Sequence, residues 1–224
     1  SLAATQGSRA LRLTARDARG NQFLIRSAVA GFELITEING IWSGAAINGR
    51  ISYALRSESL DGTLEAKLPA EMISSASISL SSITAKTTLS GTLQAPQIRV
   101  TSEIGPAAFG ARTIAKATAN LQLTVPEFDL GRLRLKGTGS LEGMKQALPE
   151  LTAFSGDTAQ WSLDIRVNDA SDLVIERAAL TSGDLNIQAS GSIDTASGLY
   201  DVETILTAQG LGRLVGLEGD TSVT

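Results

Sequence analysis

Ile83-Thr-Ala-Lys-Thr-Thr-Leu-Ser-Gly-Thr-Leu-Gln-Ala-Pro-Gln-Ile-Arg-Val100 is the stretch whose reading decides the fold. Its odd positions are Ile83, Ala85, Thr87, Leu89, Gly91 and Leu93, and its even positions are Thr84, Lys86, Thr88, Ser90, Thr92 and Gln94. Side chains of a β-strand alternate between two faces, so this stretch has one mostly apolar face and one polar face. Ala95-Pro96 interrupts the pattern, because proline cannot donate to a sheet ladder. Ile98 and Val100 then resume it.

The same plan recurs along the chain. Leu11, Leu13 and Ala15 share a parity, and so do Phe23, Ile25 and Val29. Phe32, Leu34 and Ile38 alternate with acids before Asn39-Gly40, whose tolerance of positive φ signals a hairpin. Ile47, Gly49, Ile51, Tyr53 and Leu55 form one set; Leu60, Gly62, Leu64, Ala66 and Leu68 form the next. Parity runs unbroken through Asn48-Gly49 and Asp61-Gly62, so these read as glycines inside strands. Ala115 to Val125, Leu133 to Leu141, Trp161 to Val167, Leu185 to Ile193 and Tyr200 to Leu206 repeat the alternation. The expected count is a dozen to fifteen strands at the spacing of an all-β meander.

One segment changes period. Met144, Ala147, Leu148, Leu151 and Phe154 fit one helical face, which predicts a short helix near 143–154, kinked or split at Pro149. A phrase of glycine, a small or polar residue, then Leu or Ile recurs at Gly49, Gly62, Gly91, Gly139 and Gly191. Its spacing is irregular, which excludes a fixed-period solenoid.

Composition narrows function. The 224 residues contain no histidine and no cysteine. That removes the usual neutral-pH general base, the thiol nucleophile and the commonest transition-metal ligands. No catalytic constellation stands out, so no enzyme and no cofactor or metal is expected. A net charge of −4 argues against a broad nucleic-acid surface. No run reaches the roughly 18 apolar residues of a transmembrane helix. Nine aromatics (five Phe, two Trp, two Tyr) are too few for the two girdles of an outer-membrane barrel. The chain reads as one elongated β-segment over 1–224, excised from a longer protein.

A long sheet with one apolar face must hide that face as a sandwich core, as a closed barrel, or as a trough. Arg132, Arg134 and Lys136 line up on the opposite face, where they read first as a solvated surface and second as a contact for lipid phosphates.

Leu89-Ser-Gly-Thr-Leu-Gln-Ala-Pro-Gln-Ile98 resembles the repeated strand phrase of the TamB family, AsmA-like periplasmic proteins of Gram-negative bacteria. Trp161-Ser-Leu-Asp-Ile165 and Gly191-Ser-Ile-Asp194 agree with it. The resemblance implies a long meander sheet curled into a groove or taco, in a protein anchored in the inner membrane. It implies an apolar groove for phospholipid acyl chains passing to the outer membrane, and an Omp85-type outer-membrane partner bound through another part of the full chain. On that reading the groove residues are Leu89, Leu93, Leu121, Leu123, Leu133, Leu135, Leu163, Ile165, Leu185 and Ile187. The alternative is a structural or chaperone-like β-protein that aids outer-membrane protein assembly without lipid cargo.

Overall fold

The computed structural model describes residues 2–7, 10–16, 20–42, 44–69, 78–129, 132–147, 156–168, 172–208 and 221–223. They form a long antiparallel meander. Its first strands are β1 (Leu2–Gly7), β2 (Ala10–Arg16), β3 (Gln22–Ala30), β4 (Glu33–Trp42), β5 (Ala45–Ala54) and β6 (Ser59–Pro69). After β7 (Ile78–Leu80) come β8 (Ser82–Gly91) and β9 (Pro96–Ile104). The short β10 (Ala107–Phe109) and β11 (Arg112–Ile114) precede β12 (Lys116–Thr124) and β13 (Arg134–Glu142). The series ends with β14 (Thr158–Asn168), β15 (Asp172–Ser182), β16 (Leu185–Asp194), β17 (Leu199–Ala208) and β18 (Thr221–Val223). Fifteen of these strands make one sheet in chain order, and β7, β10 and β11 make a small second sheet. At about 4.8 Å between strands, the large sheet extends roughly 67 Å along its pairing direction.

The opening stretch is two strands rather than one interrupted strand. β8 and β9 pair antiparallel, with Leu89 opposite Ile98 and Gly91 opposite Pro96. Residues 92–95 turn the chain, and the Ala95 N–H donates to both the carbonyl and the hydroxyl of Thr92 at 3.2 Å. Gly91 has φ +102, and a Cβ there would strike the Ala95 carbonyl oxygen. Leu93 therefore belongs to a hairpin turn, 40% exposed, and not to the strand that parity assigned it.

The Asn39-Gly40 hairpin expectation is also corrected. Both residues sit inside β4, with Gly40 opposite Phe23 on one side and Ile47 on the other. β4 runs on to Trp42, and a positive φ (+76) falls at Gly44, just before β5. Gly40 answers a packing need: a Cβ there would collide with the Phe23 ring. Asn48-Gly49 and Asp61-Gly62 do lie inside strands, as unbroken parity required. Phe32 and Leu55, assigned to strands by parity, instead occupy turns and are 57% and 49% exposed. Arg56 lies 3.5 Å over the Phe32 ring, so the two neighbouring turns cover each other. A turn follows Asp194. The Asp194 carboxylate accepts from the Ala196 and Ser197 N–H groups at 2.9 and 3.2 Å and from the Ser197 hydroxyl at 2.6 Å.

The start of the helix expected near 143–154 is present. The described part, α1, spans Met144–Ala147, and Leu148 to Phe154 lie outside the described residues.

Burial is sparse and sits at the strand ends. Ala159, Leu185 and Ala208 are 0–2% exposed at one end of the large sheet, close to buried Met144. Pro96 and Val125 are buried at the other end, where the Pro126–Phe128 turn follows β12. Mid-strand apolar residues such as Leu64, Leu121 and Leu163 are only half-buried. The accessible surface is 14110 Å², against about 9,700 Å² for a compact monomer of this mass. A single layer keeps both of its faces near water, which accounts for the excess.

Glycines on the apolar face are seats for larger neighbours. The Trp161 indole covers Gly137 and Gly139, and Leu64 covers Gly49. A Cβ at Gly139 would meet the Trp161 indole at 2.5 Å and the Thr118 carbonyl oxygen closer still. Gly139→Val is therefore expected to cost about 1–3 kcal/mol or more through overpacking, read as a lowered urea midpoint with unchanged slope. An unchanged midpoint would show that the indole does not rest on this glycine.

Candidate functional site

Residues directly opposed in an antiparallel ladder project from the same face. The register therefore converts strand parity into rows that cross the sheet. One row runs Leu89, Ile98, Leu123, Leu135, Ile165 and Ile175 from β8 to β15. A second runs Val100, Leu121, Gly137, Leu163 and Ala178. A third runs Ala119, Gly139, Trp161, Leu180, Ile187 and Leu206. Leu185 faces Ser182 and Ala208 in a fourth, at the strand ends.

Of the residues expected to line a groove, Leu89, Leu121, Leu123, Leu135, Leu163, Ile165, Leu185 and Ile187 thus share one face. Leu133 precedes β13, half-buried, and its carbonyl accepts the Val167 N–H at 2.8 Å. Leu93 is the exception, in its turn. The same rows bring in Ile98, Val100, Trp161, Ile175, Leu180 and Leu206. Parity alone held the signal for each of them, but the β15 bulge between Ile175 and Ala178 shifts register. In the first strands the apolar face continues through Leu13, Ile25, Ile38, Gly49 and Leu64.

Polar groups on this face satisfy one another. The hydroxyls of Ser27 and Thr36 lie 3.0 Å apart. The Ser182 hydroxyl, 1% exposed, donates toward the carbonyls of Thr158 and Gly156 at 2.8 and 3.3 Å.

The opposite face carries cross-strand ion pairs. Glu65 meets Lys86 at 3.4 Å and Glu103 meets Lys116 at 2.9 Å. Arg134 donates Nε and Nη2 to the two oxygens of Asp164 at 3.0 and 2.9 Å, and Lys136 approaches at 3.5 Å. Arg132 pairs with Asp129 at 3.5 Å. The three basic residues read as a possible phosphate contact each have a carboxylate beside them. Shallow cavities indent this polar face, among them one of about 330 Å³ around Arg12, Arg16 and Asn39. Another, of about 340 Å³, spans β9 to β15 around Gln122, Lys136 and Asp164. A third, of about 530 Å³, lies around Glu65, Lys86 and Glu103. Among the described residues no cluster of His, Cys, Asp and Glu could hold a metal ion, and no helix is long and apolar enough to cross a membrane.

The fold and this site define a single-layer antiparallel meander with one apolar and one charged face. Comparison with protein-family models, with curated proteins and with solved structures finds no match.

The bonds from Arg134 hold the Asp164 carboxyl below the usual carboxylate range, while partial burial opposes them. A carboxyl lowered in this way adds stability above its unfolded pKa of about 3.9. That stability is lost as pH falls through the lower folded value. Asp164→Asn should flatten the acid limb of the stability curve below about pH 4, by no more than about 1 kcal/mol because the pair is solvent-screened. Urea midpoints taken across the acid range would read this, and a parallel loss in both proteins would remove Asp164 from the account.

Proposed function

We propose that this chain is a segment of a TamB-like, AsmA-related periplasmic protein whose full-length form is anchored in the inner membrane. Its apolar face, curled into an elongated groove, binds or conducts phospholipid acyl chains between the inner and outer membranes and so supports outer-membrane biogenesis. The role is non-enzymatic. An Omp85-type outer-membrane protein is a partner through another part of the full chain.

The observation that carries this reading is the unbroken apolar row from Leu89 to Ile175, half-buried in every strand it crosses. Half-burial leaves apolar surface that gains by acquiring a cover. Each methylene moved from water onto such a surface gains about 0.8 kcal/mol. An acyl chain laid along the rows keeps most of that gain from strand to strand, so it can advance without being released into water. Side chains flattened over Gly49, Gly137 and Gly139 suit a smooth floor, since none of them stands upright across the path.

Native mass spectrometry of the purified protein, followed by solvent extraction and lipid identification, tests the reading. Co-purified phospholipid is expected, reduced at least about tenfold, or ~1.4 kcal/mol, in a Leu121→Asp, Leu163→Asp variant whose circular dichroism is unchanged. A stably folded, lipid-free protein that also refuses added phospholipid would sink it. A bound unfolded polypeptide in place of lipid would move the assignment to assembly of outer-membrane proteins.

A further inference from the structure

The two cavities over the middle strands of the polar face differ in charge balance. The one around Glu65 and Glu103 includes two carboxylates and two lysines, Lys67 and Lys86. Both acids are ion-paired there, Glu65 to Lys86 and Glu103 to Lys116 just outside. The cavity around Gln122 contains Arg99, Lys136 and Arg177 against a single carboxylate, Asp164. That carboxylate is held by the two-bond fork of Arg134, with Lys136 beside it at 3.5 Å. Arg99 and Arg177 make no ion pair among the described residues. A cavity of about 340 Å³ in an acidic protein thus keeps an unbalanced charge of +2.

Register places these cations around a neutral donor. Gln122 faces Arg99 across β9 and Lys136 across β13. Each partner is one strand away, about 4.8 Å between axes. Asn120 stands in the next row of the same cavity. A tetrahedral dianion over Gln122 would meet a guanidinium on one side, an ammonium on the other and carboxamide N–H groups beneath. Guanidinium and ammonium groups are the usual partners of phosphate oxygens, and charge-assisted bonds are the stronger kind. Sheet backbone supports all of these residues, so little ordering is required on binding.

We propose that the polar face binds a phosphate monoester over Gln122, held by Arg99 and Lys136, with Arg177 adding to the local positive potential. This is separate from the acyl-chain surface on the opposite face and does not depend on it. The phosphate could belong to a lipid headgroup or to a free, water-soluble phosphate.

The test is a titration of the isotope-labelled protein, followed by amide NMR at low ionic strength, where the Debye length is about 30 Å. The probes are inorganic phosphate and monomeric dihexanoyl phosphatidic acid. Saturable shifts are expected at residues 99, 120, 122 and 136 with both. Binding should weaken at least tenfold in Arg99→Gln, Lys136→Gln, and stay unchanged in Arg26→Gln, Arg50→Gln, which removes equal charge from the same face outside the cavity. Asp164→Asn, which removes the competing carboxylate, should tighten it severalfold. Equal affinity for both probes would identify the phosphate group itself as the ligand; a tighter lipid with the same variant sensitivity would identify a headgroup. The proposal is overturned if no saturable shifts occur, if the control variant weakens binding as much, or if the lipid binds undiminished to the Arg99→Gln, Lys136→Gln protein.

Discussion

Face-sharing by opposed residues is the constraint on which this molecule depends. In an antiparallel ladder a side chain and its cross-strand partner project from the same side, so a consistent parity in each strand becomes a continuous surface across the sheet. Here the register keeps that parity through β8 to β15, over an excursion into a second sheet through the short strands β10 and β11, and past the bulge at Glu176. A one-residue slip anywhere would turn leucines into the charged face and lysines into the apolar one. The cross-strand pairs Glu65–Lys86 and Arg134–Asp164 oppose such a slip from the polar side. Their strength is modest because they are exposed, but their geometry holds only in the native register.

Glycine has a distinct role in this arrangement. Inside a strand it weakens the sheet and packs nothing of its own. On this apolar face it makes room for a neighbour to lie down, as Trp161 does over Gly137 and Gly139 and Phe23 over Gly40. Where it lies inside a strand, as at Gly49 and Gly139, the recurring phrase of glycine followed two residues later by Leu or Ile thus has a physical origin. It spares the space above one position and restores an apolar group at the next position on the same face. The result is a low surface over these glycines.

Burial points the same way. Fully enclosed side chains, such as Ala159, Leu185, Pro96 and Val125, gather at the two ends of the strands. The middle is left half-open. A protein with this distribution holds together by its ladder and its rims, and its centre still has free energy to gain from a ligand. The charged face meets water directly, and the two cavities over its middle strands show how local charge balance can separate a solvated surface from a prospective anion site.

Much was legible in the alternation alone. The all-β class, the single meander, the strand glycines at Gly49 and Gly62 and the shared face of most groove residues follow from a period of two, because that period is a property of the strand itself. Leu93, Phe32 and Leu55 were misplaced because parity continues on paper through a turn that reverses the chain in space. Asn39-Gly40 looked like a hairpin because those residues permit one; the Phe23 ring, 17 residues away from Gly40 in sequence, required the glycine instead. The sequence by itself determined which side chains share a face. Only the tertiary structure decided which partners oppose them, that Asp164 engages Arg134 and Lys136 while Arg99 and Arg177 make no ion pair among the described residues, and that burial collects at the rims. Those outcomes depend on register and on contacts between distant strands, and a local pattern contains neither.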